Sequence, residues 1–211
     1  MTFIKVLANL FSALFHPLWM PTLGFMLYIV GNPWLFGNYQ PEHKIFEIVR
    51  ILILTAVLPG FTILLLYALK FISNTDKINR DERILPYVSS GFFYIVATVF
   101  FIKTNDHSFL QAIMLGATIA IFTGLIINTL FLKISMHASG TGGLVAMVMI
   151  LMPIASQDMT CAFYGALLIA GIVGSSRLAI HAHTGKEVLS GYFLGFVSQL
   201  MAYMIITIFA A

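Results

Sequence analysis

Charge is what this chain has least of: Asp, Glu, Lys and Arg together supply 9% of its 211 residues, against ~25% in ordinary soluble proteins. So few charges cannot build a water-facing shell, which excludes a soluble globular protein. The 11 Lys and Arg are scattered over loops, and the net charge is only +3. No basic run exists that could track a phosphodiester backbone, so nucleic acid is excluded as a partner. Cysteine is nearly absent. Cys161 is the only one, which excludes an intrachain disulfide and leaves, in an apolar segment, a thiol expected to be packed and inert. The N-terminus lacks a small-residue cleavage site. Lys5 is followed by an apolar run, but His16, Pro17 and Pro21 interrupt it, so the segment is expected to remain in the mature chain.

What the chain has in abundance is hydrocarbon: 60% of residues are hydrophobic and the mean hydropathy is +0.97. At ~20 residues per span this length provides six or seven transmembrane helices and leaves nothing for a soluble domain. The expected fold is therefore all-α, a polytopic membrane helical bundle forming one domain. Helices are expected over 7–30, 48–72, 87–102, 109–132, 142–154, 160–174 and 188–209. Two prolines within a turn and a half divide the first segment into an interfacial helix and a span. This makes 1–47 an accessory N-terminal region and 48–211 the core bundle. Trp19 and Trp34 read as interface anchors.

Seven spans place the turns at 73–86, 133–141 and 175–187 on one face, because two crossings separate each from the next. These turns carry most of the polar chemistry, including Arg80, Arg83, Lys133, Ser135, His137, Ser176, Arg177, His183 and Glu187. The opposite loops hold a thinner set. Charge assigns no side of the membrane to this face, since most cations that would decide it by the positive-inside rule belong to the turns themselves. The expected setting is a multi-pass protein of a bacterial cytoplasmic membrane.

The densest cluster is Ser176-Arg177-x5-His183-x3-Glu187. Ionisable groups at membrane depth are costly and mark working sites. A carboxylate four residues after a histidine lies one helical turn onward and can reach the imidazole. Arg177 ahead of that pair makes an anion clamp beside an oriented nucleophile or base. Two helices earlier stands Ser135-Met-His137. Taken together these segments resemble the type 2 phosphatidic acid phosphatase family, which is built around Pro-Ser-Gly-His and Ser-Arg-x5-His-x3-Asp, with an earlier Lys-x6-Arg-Pro. The likeness covers about the last eighty residues. Ile134 replaces Pro, Met136 replaces Gly and Glu187 replaces Asp, so no reacting group is lost. The earlier motif is missing as such: Lys77 stands six positions before Arg83 where the family has seven, and Ile84 and Leu85 separate Arg83 from Pro86.

The resemblance implies a membrane hydrolase removing phosphate from a lipid phosphate or polyprenyl diphosphate, with no cofactor and no metal. Phosphoryl transfer spreads charge over equatorial oxygens, so cations and backbone donors supply much of the catalysis. Arg177 and Lys133 suit that task, Lys133 standing in for the absent motif lysine and Arg83 or Arg80 reaching in from the neighbouring turn. Ser135 and Ser176 add hydrogen bonds to phosphate. His183 is the expected nucleophile, Glu187 its orienting partner and His137 the general acid and base. Other readings stand beside this one. Asp76, Asp81 and Glu82 would hold magnesium in an intramembrane prenyltransferase, or His137, His181, His183 and Glu187 a metal. A non-catalytic lipid-phosphate binder would keep only the clamp. Glu187 also suits a helix start, His181 reads as a loop residue, and His16 as a satisfied membrane histidine. Gly191-x3-Gly195 offers a close-packing surface within the bundle.

Overall fold

The computed structural model describes residues 3–72, 81–104 and 107–210. Among them there is no strand, and six helical segments are long and apolar enough to cross a membrane. The chain is a multi-pass membrane protein. Large apolar side chains such as Phe61, Phe92, Leu168, Leu189 and Phe193 point outward, as a surface solvated by lipid requires.

The first span is broken where the prolines predict. Helix α1 (Phe3–Leu14) ends, a 3₁₀ turn (Pro17–Trp19) follows, and α2 (Met20–Gly31) begins. Pro17 lacks the N–H that a continuing helix would use, and the imidazole of His16 caps the turn by accepting from Leu18 N at 3.4 Å. The second span joins α3 (Pro41–Leu52) to α4 (Leu58–Ala68) through one π turn (Ile53–Val57). Pro59 explains the disturbance, since it cannot donate to the carbonyl of Thr55. That carbonyl accepts instead from the hydroxyl of Tyr94 at 3.2 Å, on the next helix, α5 (Ile84–Lys103).

Helices α6 (Ser108–Leu130), α7 (Met136–Leu151), α8 (Thr160–Ala179) and α9 (Gly185–Ala210) complete the bundle. The sixteen residues of α7 rise only ~24 Å, short of a ~30 Å hydrocarbon core. A short helix is tolerated because α2, α6, α8 and α9 pack around it. Its N-terminus, and the polar residues there, consequently begin inside the bundle.

The α7 start at Met136 corrects the expected start at 142. Gly140-Thr-Gly-Gly143 looks like a turn by composition, but its glycines, like Gly191 and Gly195, serve helix packing. A Cβ on Gly142 would overlap the backbone of Tyr192, one on Gly195 the carbonyl of Ser139, and one on Gly191 would come within 2.5 Å of the carbonyl of Ser135. Small residues thus bring α7 and α9 into backbone contact, inside the bundle. Likewise α8 runs to Ala179 beyond the expected 174, and α9 starts at Gly185 ahead of 188. Cys161 is exposed on α8 and does not have the packed environment its apolar neighbours suggest.

Candidate active site

The loop between α8 and α9 is five residues long, and each of its ends is specified locally. At the end of α8 the N–H of Ala182 bonds the carbonyl of Arg177 at 3.1 Å and that of His181 bonds Leu178 at 3.0 Å. His181 adopts a left-handed φ of 54°. This is a Schellman closure, with His181 in the position glycine usually takes. At the start of α9, Thr184 and Glu187 form a capping box: Glu187 N donates to Thr184 Oγ1 at 3.4 Å and Thr184 N to Glu187 Oε2 at 3.1 Å. Between these two locks His183 has one orientation, its Nδ1 2.9 Å from the same Oε2 of Glu187. Both readings of Glu187 therefore hold at once, as helix cap and as partner of the imidazole.

The three polar turns meet. Lys133 Nζ donates to the carbonyl of Ala182 at 3.1 Å, and Ser135 N to the carbonyl of Glu187 at 3.2 Å, so the α6–α7 turn is sewn to the start of α9. Arg83, at the start of α5, stands with Arg177, His137 and His183 on the wall of an adjoining cavity of about 230 Å³, which Lys133, its ammonium on the carbonyl of Ala182, does not line. His137 stands in the first turn of α7, where the helix presents its positive end. Its ring lines the cavity together with those of His16 and His183.

His183 is only 8% exposed. Burial, together with the nearby charges of Arg83, Arg177 and Lys133, holds its imidazole below the ordinary histidine value, against the hydrogen bond to Glu187, which favours the charged form. The uncharged ring is the nucleophilic form. Burial and the neighbouring Arg83 and Arg177 likewise lower the Lys133 ammonium, while Glu187 opposes them. Arg83, lowered by burial, remains a guanidinium across the physiological range. The wall is thus cationic with uncharged imidazole beside it, the distribution an incoming phosphate needs.

Several sequence-predicted residues stand elsewhere. Ser135 is fully buried behind the wall as the N-cap of α7, its hydroxyl accepting from Ala138 N at 3.4 Å. Ser176 donates back to the carbonyl of Ile172 at 2.8 Å within α8. Neither hydroxyl lines the cavity. Arg80, Lys77 and Asp76 lie outside the described residues. His181 is exposed, and among the described residues no three His, Cys, Asp or Glu side chains stand close enough to share a metal ion. The four-ligand metal variant is therefore not assembled.

Two wall residues went unrecognised in the sequence. His16, read as a satisfied membrane histidine, lines the cavity and meets His137 edge to face, with ring centroids 5.0 Å apart and planes at 82°. Its signal was an ionisable side chain in an apolar run immediately before a helix-breaking proline. Tyr87 also lines the cavity. It is 6% exposed and its hydroxyl finds no hydrogen-bond partner among the described residues. Comparison with models of known families, with curated proteins and with solved structures returns no match to this chain.

Proposed function

We propose that this protein is a membrane lipid phosphatase that hydrolyses a phosphate monoester or diphosphate on a lipid through a phosphohistidine at His183. The observation that carries the reading is the buried imidazole of His183, held by Glu187 from behind, on the wall of one cavity that also presents Arg83, Arg177 and His137. A simple anion binder needs the cations alone. An imidazole fixed by a carboxylate on one nitrogen and open on the other is the arrangement of an activated nucleophile.

In this reading Nε2 of His183 attacks phosphorus, and the bond from phosphorus to the lipid oxygen breaks. The proton on Nδ1 stays hydrogen-bonded to Glu187, which stabilises the cation that develops on the ring. His137 gives its proton to the departing lipid oxygen; the negative charge of the seated phosphate favours the protonated imidazole at that moment. The product leaves, His137 takes a proton from water, the oxygen of that water attacks phosphorus and the P–N bond breaks. Arg83 and Arg177 hold the equatorial oxygens throughout, with Lys133 adding a point charge. The lipid enters from the bilayer, as a bacterial cytoplasmic membrane protein acting on membrane lipid requires.

The direct test is phosphate release from phosphatidic acid and from a polyprenyl diphosphate in detergent, with and without a chelator. The expected result is release that persists with chelator and is inhibited by vanadate, whose five-coordinate form mimics the transition state. Loss on chelation would favour a metal-dependent enzyme, and no release from any lipid phosphate would leave a binder.

Glu187→Gln separates the two roles of that residue. Glutamine serves a capping box as well as glutamate does, so a purely structural role predicts normal activity. The orienting role predicts a fall in kcat of about 10²- to 10⁴-fold, by analogy with the carboxylate of serine-protease triads, with KM nearly unchanged and the melting temperature preserved.

The pH profile follows from the direction of the His183 shift. Since its ring is held below the ordinary imidazole value, the acid limb of kcat/KM is expected below pH ~6.5. Lowering pH through that limb protonates the nucleophile and stops the reaction. Glu187→Gln keeps an acceptor oxygen but removes the negative charge that favours the protonated ring, and moves the limb lower still.

A further inference from the structure

Residues 1–47, an accessory region by sequence, supply part of the cavity wall through His16, which no step above uses. The segment around it is held firmly. Helix α1 packs along α8, the helix that carries Arg177, and Phe15 and Met20 join the cluster of Leu144, Val148 and Ala166 on α7 and α8. Leu18 packs on the other flank against Tyr87, Tyr94 and Ile121. Between these contacts Pro17 has a fixed φ and abuts Gly140 of α7, where a Cβ would come within 2.9 Å of the proline Cα. His16 is thereby placed edge to face with His137.

The helix cap decides which proton this ring carries. Nδ1 accepts from the N–H of Leu18 at 3.4 Å, so it holds no proton, and the single proton of the neutral ring is on Nε2. An imidazolium would set two donors against each other at the cap. The bond at Nδ1 is the ring's only hydrogen bond among the described residues, which leaves the Nε2–H to the cavity that the ring lines. Arg177 stands near enough for its charge to act on His16, His137 and His183 alike. A further cation beside that guanidinium would be repelled, whereas an uncharged donor adds a hydrogen bond to an anion without that cost. A rigidly held donor is also the kind that assists phosphoryl chemistry most, since nothing has to reorient when charge develops. We propose that His16 is a phosphate-binding residue of this site, its Nε2–H donating to a non-bridging oxygen of the bound phosphoryl group beside Arg177, and that the N-terminal segment is for that reason part of the active site. The proposal rests on the phosphatase reading for turnover alone; the donor serves any phosphoryl group seated among Arg83, Arg177 and His183.

His16→Ser separates this role from capping. Serine is among the preferred helix caps, so its hydroxyl can take over the N–H of Leu18, but it is too short to replace Nε2. Detergent-solubilised protein is titrated with orthophosphate and with dodecylphosphonate, whose P–C bond is not hydrolysed, and the rise in melting temperature gives each affinity. The variant is expected to fold and to bind both probes about 10- to 100-fold more weakly, the range for a hydrogen bond to a charged group. In the wild type, tighter binding of the phosphonate assigns a lipid-borne phosphate as the occupant and equal binding a free one, each within the proposal. Turnover adds an independent readout. A donor to a non-bridging oxygen matters whatever group departs, so kcat/KM should fall by the same factor for dodecyl phosphate and p-nitrophenyl phosphate, with the shape of the pH profile unchanged. Wild-type affinity for both probes in a folded variant reduces His16 to a cap and overturns the proposal. So does a loss confined to the phosphonate, which would set the ring against the chain, or a wild type that binds neither probe. Where the variant does not fold, ¹⁵N-histidine spectra of the wild type decide: a ring that stays in the Nε2–H form from about pH 5 to pH 8 and shifts on adding orthophosphate is expected, and its absence overturns the assignment. Weaker binding in the variant, with no phosphate released by the wild type from any lipid phosphate, would remove the phosphatase reading and leave His16 as a phosphate ligand.

Discussion

Replacing His183 with alanine is expected to reduce phosphate release to the uncatalysed background, a loss of about 10⁴-fold or more, as for nucleophiles in other covalent hydrolases. No neighbour can substitute for it. The carboxylate that orients a nucleophile is bonded to His183 and not to His137, and His181 lies in the left-handed position closing α8, its side chain exposed. The fold should survive, because the turn is locked by the Schellman bonds at Arg177 and Leu178 and by the Thr184–Glu187 capping box, none of which uses the imidazole. The structural cost is that of a vacated buried ring and a lost hydrogen bond, about 1–3 kcal/mol. Melting temperature and phosphate release measured together check both halves. Wild-type enzyme quenched during turnover of a ³²P-labelled substrate should carry an acid-labile, base-stable label, as expected of a P–N bond, and His183→Ala should carry none. Retained turnover in this variant would remove His183 from the nucleophile's role.

How far this site was legible beforehand depended on sequence distance. The His183–Glu187 pair lies four residues apart, within one helical turn, and local spacing was enough to anticipate it. The gathering of the turns at Arg83, Lys133 and Arg177 followed from counting crossings, a topological constraint that needs no contact information. The start of α7 was hidden, because Gly140-Thr-Gly-Gly143 carries the composition of a turn, and only the approach of Tyr192, Gly191 and Gly195 from α9 explains the glycines. For the same reason Ser135 read as a phosphate ligand when its hydroxyl caps a helix. His16 and Tyr87 were out of reach for a different reason. They come from helices 121 and 50 residues before His137, and an isolated polar residue in an apolar helix looks the same whether it faces lipid, packing or a cavity.

His137→Ala is expected to slow the reaction by about 10²- to 10⁴-fold, the range for a lost general acid and base, and to slow its two halves unequally. In the first half the proton is needed by the departing lipid alkoxide, so the penalty depends on the leaving group. A p-nitrophenyl phosphate, whose phenolate leaves without protonation, should still phosphorylate His183 at a rate near that of the wild type. In the second half water must be deprotonated whatever the first substrate was. His16 cannot take over, because its Nδ1 is held by the N–H of Leu18 and it meets His137 only edge to face. The variant should therefore release one equivalent of p-nitrophenol in a burst and then stall, with phosphohistidine accumulating at His183. Its activity on a lipid phosphate should fall in both phases, with no burst. Equal loss on the two substrates and no burst would place His137 outside proton transfer, as a buried ring that merely supports the wall. A burst on the activated ester alone ties it to the leaving oxygen and to water, the two atoms that must exchange protons at one place in the cavity.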